Sequence, residues 1–263
     1  MGKIISWLDK VLYPYCESRW DNRLFVTMLA RVLPAHSVVL DLGAGAGIYP
    51  EFDFRRMSDR VCGIDPALEV LKNPYLTEAR IGKGESIPYP DKTFDVVIAT
   101  NVLEHLENPE IVLCEVFRVL KSGGLFVLKT PNFLHYVPII ASITPQSFHI
   151  YINRIRGRRA ADTFPTFYRI NTPRSLRQYA QKAGFLVQEI ELIEGRPEYL
   201  RISALTYIFG WLFEKIVNSS EIFSPFRVVM FGAIKKPQEM ADVCGDDENS
   251  SPKEGSWTRT MNQ

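Results

Sequence analysis

The chain has 263 residues, 46% of them hydrophobic, and its 31 basic residues against 30 acidic ones leave a formal charge of +1. That is apolar material for one sizeable domain core, and it excludes both disorder throughout and the overall positive field that draws a protein to nucleic acid. Cys16, Cys62, Cys114 and Cys244 share no CxxC spacing, so neither a disulfide framework nor a zinc site is indicated; Cys62 and Cys114 fall in apolar runs and read as reduced core thiols of a cytoplasmic protein.

Residues 1–36 read as an N-terminal helical segment. It has no long apolar stretch and meets Asp9 early, so it is neither a secretory signal nor a membrane span. From Val38 onward, short runs rich in Val, Ile and Leu (VVLDLG, RVCGID, TEARIG, FDVVIATN, GLFVLKTPN) alternate with segments that read as helices. This alternation predicts an α/β, doubly wound, Rossmann-like sheet of seven mostly parallel strands. A helix is predicted over about Pro109–Leu120, where Ile111, Val112, Glu115, Val116, Val119 and Leu120 follow the helical period, with Ser122-Gly123-Gly124 as its stop.

After Asn132 the chain turns aromatic and then basic (Arg154, Arg156, Arg158, Arg159), which predicts a helical cover inserted at about 133–170, after the fifth strand. Asn171-Thr172-Pro173 opens another helix that Gly184 closes. LVQEIELIE and RVVMFGAIKK are the last two strands, with a second cover insertion at about 195–226 between them. Within it, on a helical wheel, Ile202, Leu205, Ile208, Phe209, Leu212, Phe213 and Ile216 gather on one side, predicted to be buried, and Tyr207 and Trp211 project from the other with Ser203, Gly210 and Glu214. Residues 37–237 thus form the domain, and 238–263 a polar tail with too few large aliphatic residues to order itself.

The stretch VVLDLGAGAGIYPEF carries the chemistry. A dinucleotide loop reads G-x-G-x-x-G and sets pyrophosphate on a helix N-terminus. Here Gly43, Gly45 and Gly47 stand at alternate positions, and Ile48 occupies the place where that pattern wants glycine. Asp41, two residues before the first glycine, would repel a pyrophosphate but suits a ligand bearing an ammonium and a sulfonium. Asp65, ending the second strand, is placed for a carboxylate that accepts both hydroxyls of a ribose.

With LDLGAGAG, VCGIDP, GESIPYPDKTFDVV, NVLEHL and VFRVLKSGGLFVLKTPN in that order, the sequence resembles the class I S-adenosylmethionine-dependent methyltransferases, in the small-molecule, methyltransferase type 11-like branch. The resemblance implies S-adenosyl-L-methionine as cofactor. It implies that Gly43 and Gly45 let the methionine part approach the backbone with Asp41 near its amino group, that Gly47 belongs to the same cofactor-binding loop, and that Asp65 holds the ribose. Adenine would lie beside Ile64, Gly84 and Glu85, and Asn101 would help line the methionine pocket. Where the family commonly has Asp this chain has Lys83, which cannot accept the adenine amino group, so Glu85 is expected to replace it.

Methyl transfer from a sulfonium needs in-line positioning and neither metal nor covalent intermediate. A hydroxyl acceptor would also need a base, and His105 in NVLEHL is the candidate on the correct edge; with Glu104 it could equally brace the following helix. His135, Tyr136, His149 and Tyr168 in the first insertion are further acceptor-side candidates. The expected partner is a small-molecule or lipid-like acceptor, with peripheral membrane contact through the aromatic cover as a further expectation. No specific nucleic acid is expected, because ATNVL replaces the Asn-or-Asp-Pro-Pro-aromatic element of base-clamping enzymes. A non-catalytic adenosyl-ligand-binding protein of the same fold is the rival reading, and RNA methylation a weaker one.

Overall fold

A computed structural model of the chain describes residues 2–16, 20–144 and 165–238. Two helices, α1 (Gly2–Leu12) and α2 (Asp21–Val32), precede a seven-stranded sheet. Its strands are β1 (Val38–Leu42), β2 (Arg60–Asp65), β3 (Glu78–Ile81), β4 (Phe94–Thr100), β5 (Leu120–Pro131), β6 (Leu186–Ile193) and β7 (Val229–Lys235). Their order across the sheet is β3-β2-β1-β4-β5-β7-β6, with β7 alone antiparallel to its neighbours. Strand order reverses at β1, so the crevice at its carboxyl end is where an open α/β sheet takes a ligand.

Alternation along β1 explains the two layers. Leu40 and Leu42 enter the core under α3 (Pro109–Val119) and α5 (Pro173–Lys182), with Val112, Val116, Leu176 and Ala180. Val39 enters the opposite core with Phe25, Met28 and Leu29 of α2. The Thr172 hydroxyl accepts from Ser175 N–H at 3.1 Å and the Ser175 hydroxyl accepts from Thr172 N–H at 3.1 Å, a capping box that starts α5 as the Asn-Thr-Pro signal predicts. α2 is tied to the sheet by Lys129, whose buried ammonium pairs with Asp21 at 2.8 Å and hydrogen-bonds the Asn22 side chain.

Several sequence expectations are corrected. α3 ends at Val119, and Ser122-Gly123-Gly124 lies within β5 rather than capping the helix. Between β1 and β2 there is no full helix, only 3₁₀ turns at Pro50–Phe52 and Phe54–Arg56, and the β2 to β3 crossover has one at Leu68–Lys72. Seventeen residues from Gly43 to Asp59 are too few for a loop, a helix of ordinary length and a return. Cys62 is buried as expected, but Cys114 is exposed on α3, on the side turned from the sheet.

The largest correction concerns the second cover helix, α6 (Ala204–Ser219). It buries Tyr207, Gly210, Glu214 and Val217 and turns the aliphatic side outward, with Leu205 66% and Phe209 61% exposed. Trp211 is half-buried. The buried side is chosen by specific partners. Tyr207 packs on Ile5 and Leu8 of α1 and donates its hydroxyl to Asp9 at 2.7 Å, and Gly210 lets α6 close on Pro197 and Leu200. The other cover helix, α4 (Tyr136–Ile143), follows β5. His149 and the four arginines between 154 and 159 lie outside the described residues.

Candidate functional site

The glycine loop leaves β1 with three positive φ angles in five residues, +76° at Gly43, +51° at Gly45 and +68° at Gly47. A side chain at Gly43 would run into Val102, whereas nothing lies within 4 Å of where a Cβ on Gly45 would stand. Gly43 is therefore bare for the fold, and Gly45 faces open space above the sheet edge. The loop is held from β2: Gly43 N–H and Ala44 N–H donate to the Ile64 carbonyl at 2.8 and 3.1 Å, and Gly45 N–H donates to Asp65 Oδ2 at 3.1 Å. Asn73 closes it from the far side, donating to the Ala44 carbonyl at 2.9 Å. Because only 3₁₀ turns follow, no helix N-terminus points at the loop to receive a pyrophosphate.

Asp41 stands at the mouth of this loop, 7% exposed. Its Oδ1 is buried with no hydrogen-bond partner among the described residues. Burial, with the Asp65 charge adding to it, pushes its carboxyl up to about 7. A buried acceptor without a donor is costly, and a bound cation would relieve both the desolvation and the orphaned oxygen.

The other expected adenosyl-site residues are placed as follows. Asp65 is half-buried at the tip of β2, and its Oδ1 also accepts from Ala67 N–H at 2.8 Å. Ile64 is fully buried in the core, so what it presents to the loop is its carbonyl. Gly84 lies in the Lys83–Ser86 turn and packs under Val112, with Glu85 half-buried beside it and Lys83 exposed. Asn101 is exposed at the end of β4 in the left-handed region, φ +55°, with its N–H donating to the Lys129 carbonyl at 2.8 Å. Asn tolerates that conformation better than most residues, and such positions gather at ligand sites.

Just beyond Asn101, at the same strand end, Leu103–His105 forms a 3₁₀ turn. Its two polar residues brace the return of the first insertion. Phe167 N–H and Tyr168 N–H donate to the Glu104 carbonyl at 2.7 and 3.2 Å, and His105 Nδ1 donates to the Pro165 carbonyl at 2.7 Å. With its proton on Nδ1, His105 keeps Nε2 as the basic nitrogen, 3.9 Å from Glu104 Oε1. The Glu104 side chain accepts from the Thr130 hydroxyl at 3.0 Å, and burial raises its carboxyl above the usual range. Sequence reasoning placed Glu104 only as a brace; its apolar neighbours Leu103 and Leu106 were the available sign of burial.

Tyr168 packs on Phe133 at 5.4 Å, and burial with the nearby Glu104 charge pushes its hydroxyl up to about 12. His135 is not on this edge surface. It is buried, its Nδ1 accepts from Val137 N–H at 3.3 Å as the cap of α4, its Nε2 faces Glu194 at 3.4 Å, and burial pushes it down to about 3. Tyr136 packs against His135 and Phe213 in the same layer. Among the described residues no group of His, Cys, Asp and Glu could hold a metal ion.

Residues 40–128 match the family described as "Methyltransferase domain". The chain is 31% identical over 163 residues to a ubiquinone biosynthesis O-methyltransferase of Psychrobacter arcticus, covering 58% of this chain and 60% of that protein. It is 30% identical over 170 residues to an uncharacterized methyltransferase of Schizosaccharomyces pombe, covering 58% of each. The chain thus spans about three fifths of the length of these two relatives. In fold it is similar to the cyclase SpnF, with a TM-score of 0.54 and 19% identity over 83% of this chain and 82% of that one. A methyltransferase-like protein from Bacillus halodurans gives a TM-score of 0.52 and 18% identity over 83% and 99%.

Proposed function

We propose that the chain is a class I S-adenosylmethionine-dependent methyltransferase, a reading supported by the methyltransferase-domain match over residues 40–128 and by the methyltransferase relatives, and that it transfers a methyl group to a small, hydrophobic or lipid-like acceptor entering at the carboxyl edge of the sheet. The observation that carries the donor half is Asp41: a buried carboxylate with an orphaned oxygen, set beside a glycine loop open at Gly45. That donor set fits S-adenosylmethionine and opposes a dinucleotide.

When bound, the cofactor supplies a methyl carbon on an already activated sulfonium, so the protein's task is placement. Asp41 would hold the ammonium, Gly43 and Gly45 would let the backbone approach, and Asp65 would accept the ribose hydroxyls through lone pairs that Gly45 and Ala67 leave unused. Gly84 and Glu85 would border the adenine, and Asn101 the methionine part. If the acceptor is a hydroxyl, its proton must leave near the transition state, and His105 Nε2 is the base on this edge. Phe133 and Tyr168 give the acceptor side an apolar wall. The relative named for ubiquinone biosynthesis supports an acceptor of mixed aromatic and lipid character.

One comparison favours a second reading, an adenosyl-binding protein without methyl transfer: a protein named as a cyclase has a similar fold. The deciding experiment incubates the chain with methyl-labelled S-adenosylmethionine and host extract. Label in solvent-extractable small molecules supports the proposal. Cofactor binding without transfer supports the second reading, and label in RNA overturns both.

A further inference from the structure

α6 is inside out for a helix facing water. A cover helix is expected to bury its aliphatic stripe and leave its polar side wet, yet here Tyr207, Gly210 and Glu214 are buried while Leu205, Ile208, Phe209, Leu212 and Ile216 are exposed. α1, which packs on α6 through Ile5, Leu8 and Tyr207, is apolar on both sides: its outward side carries Ile4, Trp7 and Val11, with Trp7 60% exposed.

The charges on the two helices are sorted by sign. Each helix has one acid, and each acid is turned inward. Asp9 is held by Arg196 at 3.1 Å, Arg201 at 2.5 Å and the Tyr207 hydroxyl at 2.7 Å. Glu214 is buried and accepts from Asn218 at 2.9 Å and from the Tyr13 hydroxyl at 3.4 Å. Of the lysines on the same helices, Lys3 and Lys10 are exposed, whereas the Lys215 ammonium turns back to Glu214 at 3.1 Å. What faces outward is therefore aliphatic side chains, a tryptophan and ammonium groups, the composition that settles at the boundary between lipid headgroups and acyl chains.

Topology puts this face at the working edge of the sheet. β6 runs parallel to β5 and ends beside the start of β7, with Ile193 and Pro131 both in register with Val229. The β6 to β7 connection that holds α6 therefore leaves from the edge where the glycine loop, Asn101 and His105 stand. From these observations we propose that the outward face of α1 and α6 docks the protein on an anionic phospholipid surface, with the open edge of the site turned toward the membrane. No described helix is long and apolar enough to cross it.

Two other occupants fit the charge less well. A second copy joined about a two-fold axis would set this lysine-bearing patch against itself. Residues 145–164, outside the described structure, carry four arginines and one acid, so they would bring like charge to the lysines.

The test uses the full chain and flotation with two vesicle compositions, pure phosphatidylcholine and phosphatidylcholine with phosphatidylglycerol. Binding is expected to the anionic vesicles, weakened by salt, and with a blue shift of tryptophan emission that Trp7→Phe abolishes. A Leu205→Ser, Phe209→Ser double variant should lose at least about tenfold in partitioning, with its melting temperature and S-adenosylmethionine affinity kept. Replacing Lys3 and Lys10 by Gln should cost about fivefold each on anionic vesicles only. The idea is overturned by absence of vesicle binding, by binding that the serine variant leaves unchanged, by a dimer that this variant splits, or by a steep fall in its melting temperature, which would mean the face is covered by the chain itself. Calorimetry with S-adenosylmethionine reads the donor site separately, so failure here leaves the methyltransfer proposal standing.

Discussion

The backbone N–H of Gly45 and the carboxylate of Asp65 are joined at 3.1 Å, so the acid expected to meet the ribose is also the clasp that holds the glycine loop to β2. Asp65→Ala should act twice, lowering the melting temperature and weakening S-adenosylmethionine by tenfold or more, since charge-assisted bonds are worth about 1.5 to 3 kcal/mol each. Asp65→Asn keeps one acceptor oxygen and should recover the melting temperature better than the affinity. Calorimetry and thermal melts on both variants check this, and an unchanged affinity in either folded variant removes Asp65 from the site.

Asp41 gives a pH dependence with a definite sign. Its carboxyl rises from 3.8 to about 7 on folding. Between those values the folded chain holds a proton that the unfolded chain has released, so this group makes stability fall as pH rises through the window and level off above it. Asp41→Asn should flatten that slope and melt higher than the parent near pH 7. The bound ammonium favours the ionised carboxylate, so affinity for S-adenosylmethionine should rise up to about pH 7 with proton release. Calorimetry in buffers of different ionisation enthalpy measures that release, and none is expected from Asp41→Asn.

Two glycines of one loop should respond differently. Gly43→Ala meets Val102 at a φ of +76°, so it should lower the melting temperature markedly. Gly45→Ala has a φ of +51° and no atom within 4 Å. It should cost only about 1 to 2 kcal/mol of stability while its methyl obstructs the ligand. A Gly45→Ala protein with undiminished cofactor affinity would show that the open side of the loop is not ligand space.

His105 can be separated as base and as brace. His105→Asn can still offer an N–H to the Pro165 carbonyl but has no basic nitrogen, whereas His105→Ala offers neither. A base predicts that both variants lose about a hundredfold in kcat with cofactor affinity unchanged, and that the acidic limb of the rate profile disappears. A brace alone predicts that His105→Asn restores both the melting temperature and kcat.

The sequence by itself determined the parts whose reasons are local. Strand-sized apolar runs with turn residues between them gave all seven strands of the sheet, and the Asn-Thr-Pro start and Gly184 stop gave α5. The alternate glycines with Asp41 and Asp65 marked the loop, because a chain that must take positive φ angles three times in five residues has little choice but glycine. The tertiary structure alone decided which face of a helix is inside. The period of α6 shows two stripes, aliphatic and polar, and burial of the aliphatic one is the natural expectation. Asp9 reaching Tyr207 and Pro197 closing on Gly210 are contacts between residues about 13 or more positions apart, up to nearly two hundred, and they bury the polar stripe instead. The same holds for Asp41: the sequence shows an acid before a glycine loop, but the raised carboxyl and the orphaned oxygen come from the layers packed around it. Periodicity records that a helix has two unlike sides; which of them meets protein depends on partners that only the folded chain brings together.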